Sequence, residues 1–447
     1  MVRLSSHTQK WLLCLALALV TFIVYLPVRH NGFVEYDDDE YIFENLVVQA
    51  GWTYNGAMWA FTGVHNVNWH PLTWLSHMTD CEFFGLNAGA HHLVNVAIHC
   101  ANAVLLWWLL DSITGRFWRS AFVAAVFALH PLRVESVAWA SERKDVLCAF
   151  FFLLTLLAYV RHVRAQKPDQ PIHIGSELRL AVFLYVLALM SKVMVVTLPV
   201  ILLLLDFWPL HRMTHAKVQW RVLLWEEAPF FFFALAFGLV TYFAQKGLVQ
   251  PQAATPLGHV EAVATDFCGY MEKILWPRDL SFLYVRPDHF PAMQEWISLA
   301  VMVVISLVAV AGWRRWPWLL FGWLWFVVML LPVTVVTLHK LWLADRYTYL
   351  PGIGFTIVVV WMAIATAKWL MSKRLQPVIG AGLALVILFF CAVKTREQIG
   401  YWHDTGTLAA HALAIDPKND VAQQLGRIYR FEQEHPGVRE GMPRVDK

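Results

Sequence analysis

The chain has 447 residues, of which 58% are hydrophobic and only 15% charged, with a formal net charge of +3 and a mean hydropathy of +0.51. Soluble domains carry roughly a quarter charged residues, so a soluble core is excluded and an all-α polytopic membrane protein is predicted. The near-balanced charge, with no basic stripe interleaved with aromatics, excludes a nucleic-acid partner.

A helix that crosses the bilayer needs about 20 mostly apolar residues. By that measure about eleven transmembrane helices are expected, near 11–28, 93–114, 118–138, 146–163, 179–192, 193–210, 222–244, 296–312, 317–336, 351–371 and 377–394. The basic, then apolar, N-terminus looks like a signal peptide. No small-x-small cleavage site follows it, and Pro27-Val28-Arg29-His30 leaves it as an uncleaved first helix. Ser191-Lys192 interrupts one long apolar run and is read as a turn between two spans. Residues 258–276 are helical in pattern, but Glu261, Asp266, Glu272 and Lys273 place them on the outer interface.

With eleven spans, the basic clusters around Lys10, Arg116, Arg164, Lys217, Arg314 and Lys373 fall on one side, which the positive-inside rule makes cytoplasmic. The expected setting is the inner membrane, with the N-terminus cytoplasmic. A membrane domain then covers 1–394, with 29–92 as its first periplasmic loop and interfacial helices within it. A periplasmic tail covers 395–447.

The first outer loop opens with Glu35-Tyr36-Asp37-Asp38-Asp39-Glu40-Tyr41. Crowded carboxylates raise one another's pKa when partly buried, which suits a pair that shares acid and base roles. Asp37 and Asp38 are the candidates for chemistry, whereas Asp39 and Glu40 shape the turn. Next come His70, Trp74 and His77, on a stretch that reads as an interfacial helix with Trp anchors; His70 and His77, seven apart, share one face. Neither they nor His91-His92 show tight ligand spacing, and the six cysteines include no C-x-x-C pair. No cofactor, metal site or Cys81–Cys268 disulfide is therefore predicted.

Residues 130–145 put Arg133, Arg143 and Lys144 on the side that ordinarily lacks cations. Arginine forks and lysine point charges suit phosphate, and Glu135 could be a second acid facing Asp37 and Asp38. The competing account is a set of internal salt bridges. Lys192 is another isolated outer cation, either snorkelling or meeting an anionic head group. Asp345-Arg346-Tyr347 suits phosphate and sugar contacts. In the tail, Asp416-Pro417-Lys418-Asn419 and Leu425-Gly426-Arg427-Ile428-Tyr429 have the spacing of a tetratricopeptide hairpin. Stable arrays need about three such units. This tail has room for little more than one, so it docks on the membrane domain, joins a protein partner or frays.

Taken together, the Tyr-Asp-Asp-Asp-Glu-Tyr run at 36–41, His70-Pro71-Leu72-Thr73-Trp74, the stretch from Ala128 to Leu147, Met190-Ser191-Lys192 and Ala344-Asp345-Arg346-Tyr347 resemble GT-C class membrane glycosyltransferases. The likeness is to bacterial relatives of the transmembrane and tetratricopeptide-containing O-mannosyltransferases. It implies a polyprenyl-phosphate sugar donor and inverting transfer to a hydroxyl acceptor, a protein Ser/Thr or a glycan, on the periplasmic face. An acid of the first outer loop is then the base. Carried over, Asp37 or Asp38 deprotonates the acceptor and Glu135 assists. Arg133, Arg143, Lys144, Lys192 and Arg346 are the donor-phosphate candidates, and His70, Trp74 and Tyr347 the acceptor or sugar contacts. Two other readings are a transporter and a non-catalytic scaffold that binds through its tail. A transporter wants ionisable groups at mid-span and an internal repeat, whereas these charges cluster at the outer ends.

Overall fold

The computed structural model describes residues 5–66, 68–166, 175–214, 220–246, 256–287, 290–336 and 341–435. His339 and Lys340 of the fourth outer loop lie outside them. Among the described residues, eight helices are long and apolar enough to cross a membrane, or nine if one bent pair counts as a span. The chain is a helical integral membrane protein. Leu383, Leu385, Val386 and Phe389 on the Leu375–Tyr401 helix are exposed, as are Val304, Leu307 and Val310 on Ala292–Ala311. Apolar faces of that extent are stable only under lipid. Ala88–Thr114 and Arg143–Ala165 lie deeper, and both contribute heavily to the main core.

The expected count of eleven is not reached by helix length. The segments 179–192 and 193–210 fold as Ser176–Ser191, of 16 residues, and a 3-10 turn leading into Leu198–Phe207, of 10. At 1.5 Å per residue neither helix alone matches a hydrocarbon core of about 30 Å. The turn between them does fall at Lys192. Lys192 Nζ donates to Asp145 Oδ1 at 2.6 Å, near the start of Arg143–Ala165, and Tyr159 Oη donates to Asp206 Oδ2 at 2.8 Å, near its end. The pair thus runs up and back along a central helix.

The expected span 118–138 is broken. Phe117–Leu129 and Pro131–Ala138 meet at 57°, because a residue before proline is pushed out of helical geometry, and His130 is extended (ψ 132). All of Pro131–Ala138 is buried, so this half is an internal wedge. The amphipathic stretch forms the helix Pro256–Leu275, which buries Phe267, Tyr270, Met271 and Ile274 and exposes Leu257, Val260 and Leu275.

The first outer loop builds its own small core from Tyr41, Ile42, Val48, Ala60, Trp74 and Met78. Its helices begin where side chains cap free amides: Asn45 accepts from Val48 N–H, and Thr53 from Gly56 N–H. Trp52, Tyr54, Phe61 and Phe83 stay exposed, as expected of an interfacial belt.

The last apolar helix runs on to Tyr401, and Thr405–Ile415 and Asp420–Glu434 follow as a capped hairpin. A methyl group on Gly406 would collide with the Tyr429 ring, so glycine lets these helices close without moving it. The hairpin docks on the membrane domain. His411 Nε2 donates to Leu280 O at 2.9 Å, Glu35 N–H donates to Thr405 Oγ1 at 2.9 Å, and Gly32 N–H donates to His403 O at 2.8 Å. All six cysteines are free, Cys81 and Cys268 included.

Candidate active site

Four loops meet at one end of the central helices, and their charges interlock. Glu142 lies at the centre. Its Oε1 accepts from Lys144 Nζ at 3.1 Å and lies 3.5 Å from Arg346 Nε; its Oε2 accepts from Lys192 Nζ at 3.1 Å. Each cation has a second carboxylate: Asp37 at 3.7 Å for Lys144, Asp145 at 2.6 Å for Lys192, and Glu135 for Arg346. The group is layered. Side-chain exposure is 11% for Lys144, 16% for Lys192 and 9% for Arg346, against 2% for Glu142 and 3% for Glu135. Asp37, at 16%, is the one acid at the level of the cations. The more deeply buried carboxylates hold the cations in place, and Asp37 shares the cations' slight exposure.

Aromatic rings frame this layer. Lys144 Nζ lies 4.7 Å from the Tyr41 ring centre and 5.6 Å from that of Trp139. Arg346 lies 5.4 Å from Trp139 and 4.9 Å from Tyr347, and Lys192 is 5.8 Å from Tyr347. Cations over ring faces gain electrostatic attraction and a fixed orientation. His70 and Trp74 connect through Tyr41, which stacks on Trp74 at 4.5 Å and shares a 3.0 Å hydrogen bond with His70 Nε2. Burial, followed by the nearby charges of Lys144 and Lys192, holds His70 well below the usual histidine range. It is therefore a neutral ring.

Two predicted residues lie elsewhere, and a third sits in the layer but is committed to Arg346. Arg143 is wholly buried beneath the first loop: Nη2 donates to Asp80 Oδ2 at 2.6 Å and to His91 O at 3.0 Å, Nη1 to Ser76 Oγ at 2.7 Å, and Nε to Asn95 Oδ1. With these donors spent it clamps two helices and has none directed at a phosphate in the Lys144 cluster. Arg133 donates from Nη1 to Thr348 Oγ1 at 3.1 Å and lies over Phe127 and Tyr349. Arg143 is thus paired internally with Asp80, whereas Arg133 is held by a hydroxyl and two aromatic rings. Glu135 accepts Arg346 N–H at 2.8 Å as well as its guanidinium, so it fixes the Arg346 turn.

Asp38 is fully buried. Oδ2 accepts Val34 N–H at 3.0 Å and Oδ1 accepts Ser141 N–H at 2.8 Å, tying the first loop to the second. Burial pushes its carboxyl up to about 7, against the two amide hydrogen bonds that pull it down. The folded chain then keeps a proton that the unfolded chain, with a carboxylate pKa of about 4, has released. Stability contributed by this group falls as pH rises from about 4 to about 7 and is level above. Asp38→Asn is expected to lower the unfolding midpoint, since an amide nitrogen must face a backbone N–H donor. It is also expected to flatten the midpoint's pH slope in that window. Thermal scans of detergent-solubilised protein from pH 5 upward measure both; parallel slopes for the two proteins would contradict the assignment.

The sequence reading missed Glu142, Asp145 and Trp139. Its one available signal was the alternating Glu142-Arg143-Lys144-Asp145 run, in which positions 142 and 145 share a helical face. Trp139 was indistinguishable from the other 22 tryptophans of the chain.

No known family profile matches the chain. Among curated proteins it is similar to protein O-mannosyl-transferase Tmtc2 of Drosophila melanogaster, 32% identical over 194 residues, covering 40% of this chain and 20% of that protein. It is also similar to protein O-mannosyl-transferase TMTC2 of Mus musculus, 35% identical over 135 residues, covering 28% of this chain and 16% of that protein. The chain thus matches about a fifth or less of the length of these relatives. A crystal structure of ArnT from Cupriavidus metallidurans bound to undecaprenyl phosphate aligns over 92% of this chain and 78% of that one, with 13% identity and a TM-score of 0.39. Over the matched stretches the chain is O-mannosyltransferase-like, in agreement with its motifs.

Proposed function

We propose that the chain is a membrane glycosyltransferase that moves a sugar from a polyprenyl-phosphate donor to a hydroxyl acceptor at the periplasmic face of the inner membrane. The observation that carries the reading is the cation layer of Lys144, Lys192 and Arg346 over Glu142, with the Asp37 carboxylate 3.7 Å from Lys144. The curated relatives' names support the sugar-transfer class and make mannose the first donor to test.

Asp37 takes the acceptor O–H proton. The acceptor oxygen forms a bond to the anomeric carbon from the face opposite the phosphate, and the carbon–oxygen bond to phosphate breaks with its electron pair leaving on the lipid phosphate. Lys144, Lys192 and Arg346 stabilise that developing charge, and aligned cations in a water-poor site act strongly on it. Tyr347 lines the approach of sugar or acceptor, and the buried Tyr41–His70–Trp74 group holds the first loop behind it. A protein Ser/Thr or a glycan supplies the hydroxyl. The membrane domain carries the chemistry, and the tail closes one wall and could present a partner.

Purified protein in lipid nanodiscs is expected to transfer labelled mannose from a polyprenyl-phosphate donor to a hydroxyl acceptor peptide. Failure with every polyprenyl-phosphate sugar offered would favour the scaffold reading. Orientation has a separate check: a periplasmic reporter fused after Lys394 is expected to be active.

A further inference from the structure

We propose that His77, Asp80 and His91 bind one transition-metal dication of the zinc class, as a structural staple beneath the first outer loop. The site is separate from the cation layer and independent of the proposed sugar transfer.

The fold brings the three together by a short route. His77 and Asp80 lie three apart on the Pro71–Phe84 helix. The chain reverses at Gly85, whose φ of 56 suits glycine, and His91 then lies in the first turn of Ala88–Thr114. One ligand atom from each residue falls within 4.8 Å of the others, and all three residues are buried.

The hydrogen bonding of His91 leaves a vacancy with a definite polarity. Its Nε2 is 2.9 Å from Gly85 O. A carbonyl can only accept, so Nε2 carries the proton and, in the neutral ring, Nδ1 presents a bare lone pair. That lone pair is 3.5 Å from Asp80 Oδ2, an acceptor facing an acceptor, which repels unless a cation joins them. The separation matches the edge of a tetrahedron about zinc, roughly 3.4 Å for bonds near 2.1 Å. His77 supplies the third ligand. It is 0% exposed, and neither ring nitrogen has a hydrogen-bond partner among the described residues. A buried ring with both nitrogens unmet is destabilising; coordination removes one such loss. The rings of His77 and His91 are 6.3 Å apart and nearly parallel, at 19°.

The surroundings suit a bound metal. Metal-bound histidines usually donate their other N–H to a carbonyl, and ligating carboxylates usually accept a further hydrogen bond. His91 does the first through Gly85 O, and Asp80 does the second through Arg143 at 2.6 Å. His70, which the sequence grouped with His77, belongs to the Tyr41 ring stack instead.

The test is metal analysis of protein purified without a polyhistidine tag. Wild type loaded with zinc and washed is expected to keep about one equivalent by mass spectrometry, and His77→Gln and His91→Gln to lose it, while His411→Gln keeps it. Cobalt(II) loading of wild type is expected to give the visible d–d bands of a tetrahedral nitrogen–oxygen site; this decides the matter even if the variants misfold. Wild type that retains no zinc and shows no such bands overturns the proposal, and a shared proton then joins His91 to Asp80. Stoichiometric metal retained by both histidine variants overturns it equally.

Discussion

Asp37→Asn is expected to cut sugar transfer by about 100-fold or more while leaving the unfolding midpoint near that of wild type, since a positioned general base contributes roughly 10²–10⁴ in rate. The amide keeps the shape of the side chain and loses only the ability to take a proton. Lys144 is not orphaned, because Glu142 stays 3.1 Å away. The loss belongs in kcat rather than KM, since the proposed mechanism assigns the donor phosphate to other residues. Asp38→Asn is expected to do the reverse, damaging stability through the Val34 and Ser141 amides. Single-turnover transfer and thermal scans on the two variants separate these roles, and a wild-type rate in Asp37→Asn would remove it as the base.

Glu142→Gln is expected to be the most destabilising change in the cation layer. Taking one carboxylate from among Lys144, Lys192 and Arg346 leaves three neighbouring positive charges sharing a weaker set of partners. Breaking a buried pair costs about 3–5 kcal/mol, and the lower figure applies here because each cation keeps a second acid. If this layer receives a phosphate, inorganic phosphate or pyrophosphate is expected to raise the variant's midpoint more than that of wild type, since the local charge has become more positive by one. Equal shifts in both proteins would count against phosphate binding at this layer.

The sequence made part of the site legible for a simple reason. On a chain this apolar, a charge beside a span is conspicuous, and Asp37, Lys144, Lys192 and Arg346 were found that way. What it could not show is which cation is already spoken for. Arg143 is adjacent to Lys144, yet it turns to Asp80, 63 residues earlier in the chain. That pairing depends on how the Pro71–Phe84 helix folds back onto Ala88–Thr114, which no local pattern encodes. Pro131 marked a break, but whether the following residues crossed the membrane or wedged beneath its surface depended on tertiary packing. Spans were similarly easy where 20 residues ran unbroken, and uncertain for Ser176–Ser191, where packing against a neighbour replaces length.

The stack of Tyr36 on Trp139 at 5.1 Å and of Trp139 on Trp402 at 5.5 Å joins the first outer loop, the second and the start of the tail. It also sets an order of assembly. Trp139, the ring that faces both Lys144 and Arg346, gains its Trp402 neighbour from a residue that follows the spans found among the described residues. Nascent protein halted before Trp402 would carry all the charges and lack the surface that braces them. The bracing of the cation layer thus comes from a residue synthesised well after the charges it supports.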